Sequence, residues 1–202
     1  MTPETLRHIF SRPPDPVALP PALVPAAVLV PLFQQAGAWH LLFTQRTHQV
    51  KHHQGQIAFP GGVRDPEDAS FRACALREAH EEIGLEPAHV DLLGELSLSH
   101  TITGFAVHSF VGLIPYPYDF HLNAREVARL LTLPLADLAV PERWHTEPYV
   151  YRGQEITVFY CDVGDTTVWG ATARIVVDLL RRLEPAFVPH GASEDLLHSR
   201  ST

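Results

Sequence analysis

The chain has 202 residues, of which 46% are apolar and 19% charged. That is the make-up of a globular protein with one domain, a sizeable core and tails. A net charge of −8 argues against general affinity for nucleic acid or anionic membranes, so an anionic ligand would need a local basic patch or a bound metal. Cys74 and Cys161 lie far apart and form no disulfide framework, which fits a reducing cytoplasm. The longest apolar run, Ala22 to Phe33, carries Pro25 and Pro31 and is too short to span a bilayer. No charged-then-apolar leader opens the chain. The expectation is a soluble, cytoplasmic protein without a membrane or nucleic-acid partner.

Glu4 to Phe10 suits a short helix, and prolines 13, 14, 16, 20 and 21 make residues 12–22 an extended lead-in. Ala26 to Phe33 reads as a buried strand, Gln34 to Ala38 as a turn, and Trp39 to Gln45 as the partner strand of a hairpin. Gln56 to Phe59 is a short strand ended by the breaker Pro60-Gly61-Gly62. The central helix is expected from about Ala69 to Ile83, started by Asp65-Pro66 or Asp68 and closed by Gly84. Val90 to Leu98 and Phe105 to Ile114 read as strands, with a Pro- and Tyr-rich loop from Pro115 to His121. Asn123 to Leu133 fits helix or strand, and Leu135 to Leu138 a short helix. Glu155 to Asp162 reads as a strand and Ala171 to Leu183 as an amphipathic helix, after which a loose polar tail is expected. The implied division is a lead-in over 1–22, a domain over 23–185 and a tail over 186–202. Interleaved helices and strands without a strict βαβ rhythm point to an α+β fold with a mixed sheet packed by helices.

The central helix breaks two local rules. Glu78, Glu81 and Glu82 fall within an arc of about 100° on one helix face. They repel one another, and Glu81 and Glu82 lie in the last turn, where the helix dipole is negative. A solvated acidic face is the bland explanation. The doubled penalty just before a glycine favours a compensating divalent cation instead. Carboxylates at i and i+4 suit a hard ion such as Mg²⁺ or Mn²⁺, with Glu78 and Glu82 best spaced and Glu81 a nearby third.

Arg77-Glu78-Ala79-His80-Glu81-Glu82-Ile83-Gly84-Leu85 resembles the second half of the Nudix box, G-x5-E-x7-R-E-U-x-E-E-x-G-U with U apolar, and meets every fixed position of that half. The first half departs: Asp68 stands where the family has Glu, and eight residues rather than seven precede Arg77. The resemblance implies the Nudix fold, a mixed sheet sandwiched between helices (α/β/α), and hydrolysis of a nucleoside diphosphate linked to another moiety. It implies Glu78, Glu81 and Glu82 as metal and catalytic residues, with Arg77 orienting a box carboxylate. Glu81 or Glu126 would take up the proton from water.

The upstream segment narrows the substrate. Leu41-Leu42-Phe43-Thr44-Gln45-Arg46-Thr47, then Lys51, Gly55 and Phe59-Pro60-Gly61-Gly62, is similar to the motif of the coenzyme A diphosphatase subgroup, L-L-T-x-R-(S/A)-x3-R-x3-G-x3-F-P-G-G. Lys51 replaces Arg, Thr47 the small residue, and the first Thr is displaced by one position. Val168-Trp169-Gly170-Ala171-Thr172-Ala173-Arg174-Ile175 resembles the start of that subgroup's last helix. Arg46, Lys51, Gly55, Gly61 and Gly62 are the implied substrate-binding positions. Arg46, Lys51, His52, His53 and Arg64 form a basic cluster in sequence that a polyanionic ligand needs. The expected reaction is Mg²⁺- or Mn²⁺-dependent cleavage of coenzyme A to 3′,5′-ADP and 4′-phosphopantetheine. A hydrolase of ADP-ribose or another nucleoside diphosphate derivative is the alternative enzyme. A nucleotide sensor that binds without hydrolysis is the alternative of another class. The expected partner is a small molecule, in a protein that could form a homodimer.

Overall fold

The structure is a computed structural model that describes residues 1–14, 22–47 and 55–192, except the side chain of Gln154. Lys51, His52 and His53 lie outside the described residues. In chain order the elements are α1 (Pro3–Ser11), β1 (Val24–Gln35), β2 (Ala38–Arg46), β3 (Ile57–Ala58), β4 (Gly61–Val63), α2 (Phe71–Ile83), β5 (Asp91–Glu95), β6 (Ser99–His100) and β7 (Phe105–Leu113). They continue with β8 (Val127–Pro134), α3 (Leu135–Leu138), β9 (Trp144–Tyr151), β10 (Gln154–Val163), β11 (Thr166–Trp169) and α4 (Gly170–Leu183).

β1 is the spine of a mixed sheet. It runs parallel to β7 along Val24 to Leu32 and antiparallel to β2 at its far end, from Leu32 to Gln35. Its side chains alternate as a strand buried on both faces must. Ala27, Leu29 and Phe33 pack with Cys74, Ala75, Ala79 and Ile83 of α2. Ala26, Val30 and Leu32 belong to the opposite cluster, with Leu6 and Phe10 of α1 and Val176, Leu179 and Leu180 of α4. The sheet is therefore sandwiched between helices, as expected. Both cysteines are free and buried.

The sheet forks along β1. β2 pairs with β1 only as far as Leu41, then continues with β3 through Thr44 and Gln45. β4 takes its place on the first half of β1, at Ala26 to Val28. Pro31 stands in the gap between these two pairings. Leu29 N–H reaches across the gap to the Pro60 carbonyl at 2.9 Å. The next backbone nitrogen on that side belongs to Pro31, which has no proton to donate, so the missing ladder bond falls where no strand is paired. The segment Phe59–Pro60 bridges the fork.

Several expectations change. Pro60-Gly61-Gly62 does break β3, but Gly61 and Gly62 begin a new strand. A Cβ on Gly61 would sit 2.4 Å from the Ala27 carbonyl oxygen, so the close approach of β4 to β1 requires glycine there. Asn123 to Leu133 resolves into a turn and the strand β8, which pairs with β2 from His40 to Arg46. A second sheet, β11-β10-β9, includes two strands that the sequence pattern left unassigned. β9 is mostly exposed and contains Pro148, so it lacks the alternation that marks a strand. The segments expected to be peripheral also contribute to the core. α1 inserts Leu6 and Phe10, and past α4 the buried Phe187 packs edge-on against Trp144 with centroids 6.2 Å apart. Among the described residues no helix is long and apolar enough to cross a membrane.

Phe10 is 2% exposed, and its backbone carbonyl rests 2.2 Å from the point where a Cβ on Gly94 would lie. Phe10→Ala is expected to lower unfolding free energy by about 3–5 kcal/mol in denaturant titration, as a core truncation does. A loss below about 1 kcal/mol would make α1 an appendage.

Candidate active site

α2 starts one turn later than Asp68. Ser70 is the cap, its hydroxyl accepting the Ala73 N–H at 3.1 Å. Asp68 is occupied in the preceding turn, where its Oδ2 accepts the Asp65 N–H at 2.8 Å. At the other end Gly84 adopts φ 68° and its N–H caps the His80 carbonyl at 2.9 Å, as expected for a left-handed C-terminal glycine. The last carbonyls of this acid-ended helix receive backbone donors from the following loop: His121 N–H to Ile83 at 3.0 Å and Asn123 N–H to Glu82 at 2.9 Å.

Arg77 organises the outer part of the acidic face. Its Nε and Nη2 donate to the two carboxylate oxygens of Asp68, both at 2.9 Å. Its Nη1 donates to Glu78 at 2.9 Å and to Glu81 at 3.0 Å. Asp68 is buried, and the Arg77 guanidinium holds its carboxyl well below the usual carboxylate range, at about 2. Asp68 is shorter than the signature's Glu and one residue further from Arg77 than the signature places it. The structure gives it a defined place as the fixed end of the Arg77 clamp. Arg77 is itself held strongly protonated, first by its hydrogen bond to Asp68.

Glu82 is the inner carboxylate and is 3% exposed. Its Oε2 accepts the Gly61 N–H at 3.2 Å, and its Oε1 lies 3.6 Å from an Arg46 guanidinium nitrogen. Burial pushes its carboxyl up to about 8, against the pull of Arg46 and the Gly61 N–H, and the charges of Glu78 and Glu126 push further. Burial also raises the Glu78 carboxyl, with Arg77 opposing it. Gly62 lies against this carboxylate: a Cβ there would fall 2.5 Å from the Glu78 carboxyl carbon.

Arg46 and the Gly61–Gly62 start of β4 are thus brought to α2, joining the two motifs across the fork of the sheet. Thr47, a departure from the upstream motif, has a clear structural task. Its hydroxyl donates to the Arg125 carbonyl at 2.8 Å and its N–H to the Glu126 carbonyl at 2.9 Å. This fixes the segment carrying Glu126, whose carboxylate accepts from the Asn123 amide at 3.1 Å. Arg64 is engaged elsewhere, its guanidinium 4.7 Å above the Phe71 ring and bonded to the Asp68 carbonyl. Gly55 is tied to Arg46 by its N–H, which donates to the Arg46 carbonyl at 3.1 Å.

The site's fit to a metal rests on its charge balance. Buried Glu82, with Glu78 and Glu126 near enough to raise its pKa, faces a single guanidinium and one backbone N–H. These are hard oxygen donors whose charge is only partly met, Glu78 by Arg77 and Glu82 by Arg46, which suits Mg²⁺ or Mn²⁺. Among the described residues no three acidic, His or Cys side chains form a closed ligand set, and Glu81 is turned onto Arg77.

A family model described as NUDIX domain matches residues 23–154. A protein named uncharacterized Nudix hydrolase NudL from Enterobacter sp. (strain 638) is 40% identical over 156 residues, 76% of this chain and 80% of that protein. One of the same name from Photorhabdus laumondii is 36% identical over 178 residues, 88% of this chain and 95% of that protein. Among solved structures, a Nudix hydrolase from M. smegmatis, RenU, aligns with a TM-score of 0.50 at 24% identity, covering 57% of this chain and 73% of that one.

The Asp68–Arg77 pair makes stability depend on pH. The carboxyl's folded value of about 2 lies below its ordinary 3.8, so its stabilisation is full above about pH 4 and is lost as pH falls through 2. The difference corresponds to roughly 2 kcal/mol. Unfolding of wild type and Asp68→Asn should differ by about that much at pH 6 and converge near pH 2. A pH-independent gap would contradict the pairing.

Proposed function

The chain belongs to the Nudix hydrolase family, whose members act on diphosphate-containing substrates, and on that premise we propose that it hydrolyses the diphosphate of coenzyme A to 3′,5′-ADP and 4′-phosphopantetheine. The observation that carries this reading is the meeting of Arg46 and Gly61 on Glu82. The upstream segment that resembles the coenzyme A diphosphatase motif and the acidic helix of the Nudix box share one carboxylate.

Glu78 and Glu82 would hold a Mg²⁺ or Mn²⁺ ion, with Glu81 close by. Such an ion, when bound, supplies charge neutralisation at phosphate oxygens and lowers the pKa of attached water. The remaining roles belong to side chains of this chain. Arg77 keeps Glu78 from swinging into solvent by fixing it to the Asp68 anchor. Gly62 leaves the Glu78 carboxylate room beside the turn. Arg46 presents a planar guanidinium that suits a phosphate oxygen on the substrate, with Gly55 bonded to its backbone. Lys51 would add a second cation.

A general base must lie within hydrogen-bond reach of the attacking water. Glu81 is tied to Arg77 and half-exposed. Glu126 is held by Asn123, and its charge acts on both Glu78 and Glu82, which supports Glu126 as the proton acceptor.

Incubating the purified protein with coenzyme A and Mg²⁺ should yield 3′,5′-ADP and 4′-phosphopantetheine by mass spectrometry. Turnover of ADP-ribose with none of coenzyme A would contradict the proposed substrate. Glu82→Gln is expected to lower kcat by about 10²–10³ with the circular-dichroism melting curve preserved, as loss of a group acting on developing charge does. Unchanged turnover at saturating Mg²⁺ would remove Glu82 from the machinery. Gly62→Ala is expected to reduce turnover by displacing Glu78 while the fold survives, because the new methyl meets a movable side chain. Gly61→Ala should instead destabilise the protein, because its methyl meets the β1 backbone.

A further inference from the structure

We infer that the cleft between β2, β3, β8 and the β10–β11 hairpin is the subsite for the adenine nucleotide half of the substrate, with Trp169 as its stacking platform. This rests on the diphosphate-hydrolase reading. The cleft has a volume of about 350 Å³ and is lined by Gln45, Gly55, Gln56, Arg129, Trp169 and neighbouring residues. That size is within the usual range of small-ligand sites.

Trp169 belongs to an aromatic column built by cross-strand register, with Tyr149 also against it, tilted by 46° at a centroid distance of 6.3 Å. Tyr160 lies opposite His145 on β9 and opposite Trp169 on β11. The His145 and Tyr160 rings stack with centroids 5.3 Å apart and planes 13° from parallel. Tyr160 and Trp169 follow at 5.8 Å and 4°. Tyr160 therefore covers one side of the indole and holds its plane, while Trp169 is also part of the cleft wall. A flat heteroaromatic ring entering the cleft would extend the column by one member. Such stacking is a common way to hold a nucleobase.

The polar side of the cleft is set in the same rigid way. Arg129 Nε donates to the Gln45 side-chain oxygen at 2.6 Å, and the Gln45 amide donates to the Gly55 carbonyl at 3.1 Å. Both ends of that amide are used, so Gln45 is wall rather than reader. The lining holds one cation, Arg129, and one carboxylate, Asp165, among the described residues, so a phosphate on the nucleotide belongs on the Arg129 side.

The cleft is tied to the acidic site through backbone. Arg46 N–H donates to the Gln56 carbonyl at 2.9 Å, and Gly55 N–H to the Arg46 carbonyl at 3.1 Å. Gln45 and Arg46 are consecutive on a strand, so their side chains leave opposite faces of the sheet. A compact ligand cannot meet both. A nucleotide whose base is separated from its diphosphate by a ribose is extended enough to have distinct parts for the two, base on Trp169 and diphosphate at Arg46.

The test is a metal-free binding titration, which needs no turnover. Adenosine 3′,5′-bisphosphate should quench tryptophan fluorescence in wild type, and Trp169→Phe should remove that quench. By calorimetry Trp169→Ala should bind it about tenfold more weakly, and Arg129→Ala, changed at an exposed position, should also bind it more weakly. Binding of 4′-phosphopantetheine should be the same in all of them. Thermal melting establishes that each variant is folded; if Trp169→Ala is not, Trp169→Phe and Arg129→Ala decide. Equal affinity of the folded variants and wild type for the bisphosphate, or no binding by wild type, would overturn the subsite. Cleavage of coenzyme A with binding indifferent to Trp169 would overturn the subsite and leave the reaction standing. Binding that depends on Trp169 without cleavage would support the subsite and overturn the reaction.

Discussion

The hydrogen bond from the Gly61 backbone to the buried Glu82 carboxylate is the constraint on which the site depends. An ionisable group this far from water is tolerated when partners meet its charge or when it takes up a proton, and the rise of the Glu82 carboxyl to about 8 fits partners that meet its charge only in part. Glu82 meets three parts of the chain at once. It belongs to α2, it accepts from the first residue of β4, and it faces Arg46 at the end of β2. The helix, the start of β4 and the upstream strand meet at a single carboxylate. The net of like charge around it leaves a deficit of positive charge, and that deficit is what suits the site to a cation and a polyphosphate together.

The sheet makes this meeting possible by failing to be continuous. Were β1 and β2 paired along their whole length, no backbone N–H would be turned from the fork toward α2. Pro31 removes one donor from the unpaired stretch of β1, and β2 leaves toward β3 while β4 comes in on the other half. The Phe59-Pro60-Gly61-Gly62 segment crosses the opening. Gly61 is needed for approach to the β1 backbone, and Gly62 for room beside Glu78. Two adjacent glycines thus answer to different neighbours, one to the fold and one to the site.

Much of this was legible in the chain. Local periodicity sufficed for β1, β2, β7 and α4, where burial on defined faces imposes the pattern, and the glycine after Ile83 marked the end of α2. The acidic turn announced itself by defying helix electrostatics. What stayed hidden depended on partners distant in sequence. Asp68 is held by the Asp65 N–H and by Arg77, and one inserted residue obscures the second relation. Thr47 acquires its place through Arg125 and Glu126, 78 residues further on for its hydroxyl bond. β9 carries little hydrophobic alternation because consecutive residues over Glu147–Val150 are exposed, on both faces of the strand. α1 shows as a helix with Leu6, Ile9 and Phe10 on one apolar face, but the strands and helix that this face packs on are distant in sequence. Ser70 caps α2 because Asp68 is already occupied, a competition that only the folded turn displays.

The central claim is that the inner carboxylates of α2 hold a divalent ion beside Gly61 and Gly62 at the start of β4. Equilibrium titration with Mn²⁺, followed by the free-ion electron paramagnetic resonance signal and without substrate, tests it most directly. Wild type should take up Mn²⁺, and Glu78→Gln and Glu82→Gln should each bind it at least about tenfold more weakly, since each loses a charged oxygen donor. Equal Mn²⁺ uptake by wild type and both variants would contradict the account.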